Sequence, residues 1–190
     1  MKLFESFAFF ARYIRNPSSI GAVCPSSRFL AQKMVSPLKS IVEDKSIVVE
    51  LGSGTGAVTK YILSELNISP RQLYCVEFDA TSAKLLFDKF SDINVVNDSA
   101  ENLVQILGDD IGNLKCIISC LPLLSLPDDC VQRILCCIEN VLPKDGIFVQ
   151  FTYNLLRPSA DKYIKQLKRV NTTYTALNIP PARIDVYIKS

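Results

Sequence analysis

Five short runs of apolar and β-branched residues recur along the chain at 46–51 (SIVVEL), 72–78 (QLYCVEF), 93–97 (INVVN), 115–120 (KCIISC) and 146–152 (GIFVQFT). None alternates cleanly between apolar and polar positions, which is the pattern of strands covered on both faces. Between them the spacing changes to helical near 57–66, 79–90, 100–107 and 128–142. Strand alternating with helix predicts an α/β fold, a three-layer sandwich around a mostly parallel sheet. A helix near 158–168 and two further strands, 169–177 and 182–189, follow and bring the sheet to seven strands. Two helices are expected ahead of the first strand, at 2–15 and 26–40. Leu3, Phe4, Phe7, Phe10, Ala11 and Ile14 share one face of the earlier helix, with Lys2, Arg12 and Arg15 elsewhere on the wheel. Such a helix either caps the domain's core or lies in an anionic membrane surface. The layout is one compact domain, with the N-terminal helices and a covering loop in 1–40 and the α/β unit in 41–190.

Charge sharpens this reading. The 190 residues carry a net charge of only +2, with +5 in the first forty residues and −3 in the rest. A protein that lives on nucleic-acid phosphates needs a stronger basic balance, so no nucleic-acid partner is expected. The chain has seven cysteines without a CxxC pair and no histidine. That excludes Ser-His-Asp and Cys-His catalysis, and no metal site is expected. No apolar run reaches the roughly 18 residues of a spanning helix, so the expected location is cytoplasmic, at most peripheral to a membrane.

The candidate chemistry lies in VVELGSGTGAVTKYIL, 48–63. Glycines directly after a buried strand allow a sharp turn and close approach of a ligand to the backbone. GSGTGA at 52–57 satisfies a dinucleotide pattern, so the glycines alone do not separate a nicotinamide cofactor from S-adenosylmethionine. Glu50 precedes the first glycine, however, and the E-x-G-x-G-x-G arrangement resembles motif I of class I methyltransferases, made here by Glu50, Gly52, Ser53, Gly54 and Gly56. Glu77, ending the second strand, suits the ribose hydroxyls of either cofactor. The same resemblance puts Asp98, with Ser99 beside it, at the adenine amino group; a helix cap is the other reading of Asp98. S-adenosylmethionine is the cofactor these positions favour.

The remaining motifs resemble one family over nearly the whole chain, the bacterial phospholipid N-methyltransferases that methylate phosphatidylethanolamine. They are SIGAVCPSS at 19–27, VVELGSGTG at 48–56, VEFD at 76–79, LPLLSLP at 121–127, FVQFTYN at 148–154 and NIPPARIDVYIK at 178–189. The resemblance implies a class I methyltransferase fold, transfer of methyl groups to an ethanolamine head group, and a phospholipid on an anionic membrane surface as the partner. It also implies that Ser26 or Ser27 approaches the methionine carboxylate and that Cys120 and Leu121 border the cofactor. An rRNA adenine methyltransferase is the related alternative, and a soluble amine is another possible acceptor within the fold. Base-amine enzymes carry an N-x-P-aromatic motif after the fourth strand; this chain has Cys120, Leu121, Pro122 and Leu123 there. With no histidine to take a proton, Tyr153, at the end of the fifth strand, is the first candidate for orienting the acceptor amine, and Tyr13 is the second.

Overall fold

The computed structural model describes residues 26–177 and 180–190, apart from the side chains of Ser26 and Ser27. The expected helix at 2–15, Tyr13 and nearly all of the SIGAVCPSS loop lie outside the described residues.

The chain begins with helix α1 (Ser26–Val35), which ends where Pro37 starts a short 3-10 turn at Ser36–Leu38. Then come β1 (Ile47–Leu51), α2 (Thr59–Glu65), β2 (Leu73–Val76), α3 (Ala80–Lys89), β3 (Asn94–Val96), α4 (Leu103–Leu107), β4 (Leu114–Ser119), α5 (Asp128–Val141), β5 (Ile147–Thr152), β6 (Leu167–Thr175) and β7 (Ala182–Lys189). They form one seven-stranded sheet in the order β3-β2-β1-β4-β5-β7-β6. The first five strands are parallel, and β7 runs antiparallel to both β5 and β6. This is the Rossmann-like methyltransferase fold expected from the sequence.

The absence of alternation in the strands has its explanation in two cores. On one face Val48, Cys75, Ile118 and Val149 pack with Leu30, Met34, Ile62 and Leu86 of α1, α2 and α3. On the other Val49, Leu51, Ile117 and Phe148 pack with Leu103, Val131, Leu135 and Ile138 of α4 and α5. All five residues of β1 are buried, Glu50 included. The chain runs outward from β1 to β3 and returns to β4, so a crevice opens outside the C-terminal ends of β1 and β4, where open α/β sheets bind ligands.

Two expectations need correction. The helix after the glycine turn starts at Thr59, not at 57, because positive φ at Gly54 and Gly56 keeps the backbone in a turn until Val58. No helix forms over 158–168. The amides of Lys165, Gln166 and Leu167 donate instead to one oxygen of the buried Glu139 carboxylate, at 2.6, 2.6 and 3.2 Å. Those donors are lost to a helical ladder, and β6 starts at Leu167. Around this segment Lys162 pairs with Asp128 and Arg169 with Asp161.

Candidate functional site

Gly52, Gly54 and Gly56 take φ values of +68°, +53° and +85°, a region where a side chain is strained. Space is short as well. A Cβ on Gly52 would stand 2.9 Å from Leu121 Cδ2, and one on Gly56 would stand 2.5 Å from Phe90 Cε2. The turn is therefore pressed between the loop after β4 and the end of α3. Its amides are used internally: Gly52 N–H donates to the Val76 carbonyl, Gly54 N–H to Glu77 Oε2 at 2.8 Å, and Gly56 N–H to the Ser53 carbonyl. The Ser53 hydroxyl returns to the Glu50 carbonyl at 3.1 Å.

Two carboxylates frame this turn. Glu50 is fully buried, and its Oε2 accepts from Thr59 Oγ1 at 2.5 Å and from Cys75 Sγ at 3.4 Å, while Oε1 has no partner. Burial is the main reason its pKa rises to about 7, and the neighbouring Glu77 charge adds to the rise. Glu77 follows β2, with its Oε1 accepting from Asp79 N–H and its Oε2 from Gly54 N–H. Burial raises its pKa too, against the pull of these amides. The thiols of Cys75 and Cys120 are pushed well up by burial and the nearby carboxylates, which keeps them protonated and unsuited to nucleophilic work.

The other sequence candidates fall around this centre. Asp98 Oδ1 accepts from Ser99 N–H and Asn102 Nδ2, and Ser99 Oγ accepts from Glu101 N–H, so both residues cap the turn before α4. Asn97 fastens their loop to the segment after β2 by donating to the backbone carbonyls of Glu77 and Phe78. Cys120 N–H donates to the Leu51 carbonyl, which ties the loop after β4 to the end of β1. Cys120 and Leu121 are both buried there. Tyr153 lies one residue past β5, half-buried, its ring edge-on to Phe151 with centroids 5.3 Å apart. Ser26 and Ser27 open α1, with side chains outside the described residues.

Sequence reasoning missed Thr59, Cys75, Asn97 and Gln150. Gln150 is fully buried, and its Nε2 donates to the carbonyls of Leu121 and Phe151 at 3.0 and 2.6 Å. The available signal was one amide inside GIFVQFT, a strand that is otherwise almost wholly apolar.

The donor set fits S-adenosylmethionine better than a dinucleotide. A pyrophosphate needs unpaired amides at a helix start. Here the amides of Gly54 and Gly56 are taken, α2 begins three residues later, and the carboxylates of Glu50 and Glu77 frame the turn. A sulfonium cofactor with an amino group suits two carboxylates, one of them with a buried oxygen that lacks a donor.

A seven-stranded sheet of this order, with a glycine turn after β1 and a carboxylate after β2, has the fold of the class I S-adenosylmethionine-dependent methyltransferases. The N-methyltransferase NodS of Bradyrhizobium japonicum, solved with S-adenosyl-L-homocysteine, superimposes with a TM-score of 0.73 at 12% identity, over 97% of this chain and 98% of its own. More particular likeness comes from sequence. The ornithine lipid N-methyltransferase of Singulisphaera acidiphila is 28% identical over 182 residues, 94% of this chain and 93% of that protein. The ribosomal RNA small subunit methyltransferase A of a Sulfurihydrogenibium species is 32% identical over 124 residues, which are 57% of this chain and 46% of that protein. No protein-family model matches the chain.

Proposed function

We propose that this chain is an S-adenosylmethionine-dependent N-methyltransferase whose acceptor is the amine of a lipid head group at a membrane surface. The observation that carries the reading is the end-to-end match to an ornithine lipid N-methyltransferase, which spans almost all of both chains. Phosphatidylethanolamine and ornithine lipid both present a primary amine, and the shared chemistry is methylation of an aminolipid.

Glu50, Gly52 and Gly54 would hold the methionine end of the cofactor, Glu77 the ribose, and Asp98 with Ser99 the adenine edge. Bound there, S-adenosylmethionine supplies a sulfonium-activated methyl group. The chain's task is then to present a neutral amine, since a free alkylammonium has a pKa near 10. The buried ends of β4 and β5 would favour loss of that charge, and Tyr153, one residue past β5, would orient the amine. Tyr13 would join it only if the N-terminal segment folds over the pocket.

A lipid surface also suits the segment after Tyr153. Asn154 Oδ1 accepts the amides of Leu156 and Arg157 and so pins a tight turn. That turn leaves Leu156 89% exposed, beside the exposed Arg157. A leucine and a cation at one loop tip match the apolar and anionic layers of a membrane. Among the described residues no helix is long and apolar enough to cross a membrane.

An RNA acceptor is the weaker reading. The matched part of the RNA enzyme is under half of that protein, and the loop after β4 here lacks the Asn and the stacking aromatic. The test is transfer of labelled methyl groups from S-adenosylmethionine to anionic vesicles holding ornithine lipid, phosphatidylethanolamine or neither, with undermethylated ribosomal RNA in parallel. Label in an aminolipid is the expected result. Label in the RNA alone would overturn the lipid reading.

A further inference from the structure

Among the described residues three buried side-chain atoms lack a hydrogen-bond partner: Glu50 Oε1, Gln150 Oε1 and Ser159 Oγ. A serine hydroxyl rotates to suit its surroundings, and Glu50 belongs to the cofactor cradle. Gln150 is different, because its orientation is fixed. Both groups beside its Nε2 are carbonyls, of Leu121 and Phe151, and carbonyls only accept. The amide nitrogen must face them, which leaves an oxygen that only accepts, fully buried and with no donor. Its neighbour across the strand pair, Asp185, is equally buried but satisfied, with Arg183 and Thr172 donating to its carboxylate.

The position of Gln150 gives that free acceptor a use. Through Leu121 it is one residue from the glycine turn, since Leu121 packs directly over Gly52. It also lies on the strand whose C-terminal end borders the crevice. The loop after β4 has no side-chain amide of its own to hold an amine, because Cys120, Leu121, Pro122 and Leu123 occupy it.

We propose that Gln150 binds the acceptor amine: its N–H groups fix the Leu121 carbonyl, and its free carbonyl oxygen accepts an N–H of the substrate. This inference rests on the aminolipid reading above and deepens it. An uncharged acceptor serves methyl transfer well, because it orients the neutral amine by its N–H and leaves the lone pair to face the methyl group. A carboxylate in the same place would favour the protonated, unreactive ammonium.

The chemistry sets a test that plain packing would not pass. A neutral primary or secondary amine has an N–H to donate, whereas a neutral dimethylated amine has none. The experiment compares wild type with Gln150→Leu on anionic vesicles holding either a primary aminolipid or its dimethylated form, alongside calorimetry with S-adenosylhomocysteine. Gln150→Asn, which keeps the amide but withdraws it by one methylene, is run with it so that a folding failure of the leucine variant does not decide the matter. The expected result is a loss of kcat/KM of about tenfold or more on the primary amine. A severalfold smaller loss is expected on the dimethylated lipid, because releasing the Leu121 carbonyl burdens both substrates alike whereas the missing N–H contact burdens only the primary amine. Equal losses on both lipids, or none on either, would overturn the role of Gln150 alone. If wild type labels neither lipid, the aminolipid reading falls and this inference falls with it.

Discussion

Glu50 carries a carboxyl group that its surroundings hold protonated up to about pH 7, against an ordinary value of 4.5. Below pH 4.5 folded and unfolded chains both keep the proton. Between 4.5 and 7 the unfolded chain has released it and the folded one has not, so stability falls as pH rises through that window. The loss levels off above pH 7 at about 3 kcal/mol. Glu50→Gln should flatten this part of the pH profile in urea titrations from pH 5 to 8; an unchanged slope would mean that Glu50 ionises normally. Gly56→Ala tests the turn itself. Strain at φ +85° together with the contact on Phe90 should cost about 2 kcal/mol in denaturant unfolding and weaken cofactor binding. The glycines, Glu50 and Glu77 were legible in the sequence because turn chemistry and strand ends are local signals. Thr59 and Gln150 were not, since their partners are chosen by which strands and loops the topology brings together.

At the level of elements, the five parallel strands and α5 were readable because periodicity needs only neighbours in sequence. The segment 158–168 shows where that stops. Its spacing looks helical, yet Glu139, on α5 and 26 residues earlier than Lys165, takes the amides that a helix would need. A long-range carboxylate thus overrides local propensity and starts β6. Glu139→Ala leaves three amides without this acceptor and should cost about 2 to 3 kcal/mol. Hydrogen exchange should show the loss concentrated at 165–167 and the start of β6. Uniform loosening of the whole sheet would contradict this account. The late start of α2 has the same lesson in reverse, because the backbone of two glycines decided it locally and the helical pattern at 57–58 did not reveal it.

For the molecule as a whole, the parallel sheet sets the glycine turn with Glu50 and Glu77, the Gln150 amide and the Leu156 turn toward the C-terminal ends of its strands. A lipid-facing edge there would bring the head group to the cofactor without extracting the lipid. Leu156→Glu, at a site that is 89% exposed, should leave folding and S-adenosylhomocysteine binding unchanged. It should reduce sedimentation with anionic vesicles severalfold, and unchanged sedimentation would remove this loop from the membrane contact. The function turns on which atom receives the methyl group. The measurement that tests it most directly is tandem mass spectrometry of lipids recovered after incubating the protein with S-adenosylmethionine and aminolipid vesicles. Added methyl groups on the head-group nitrogen are the expected result. Unmodified aminolipid, with the methyl group found on RNA or a soluble amine offered in the same reaction, would contradict it.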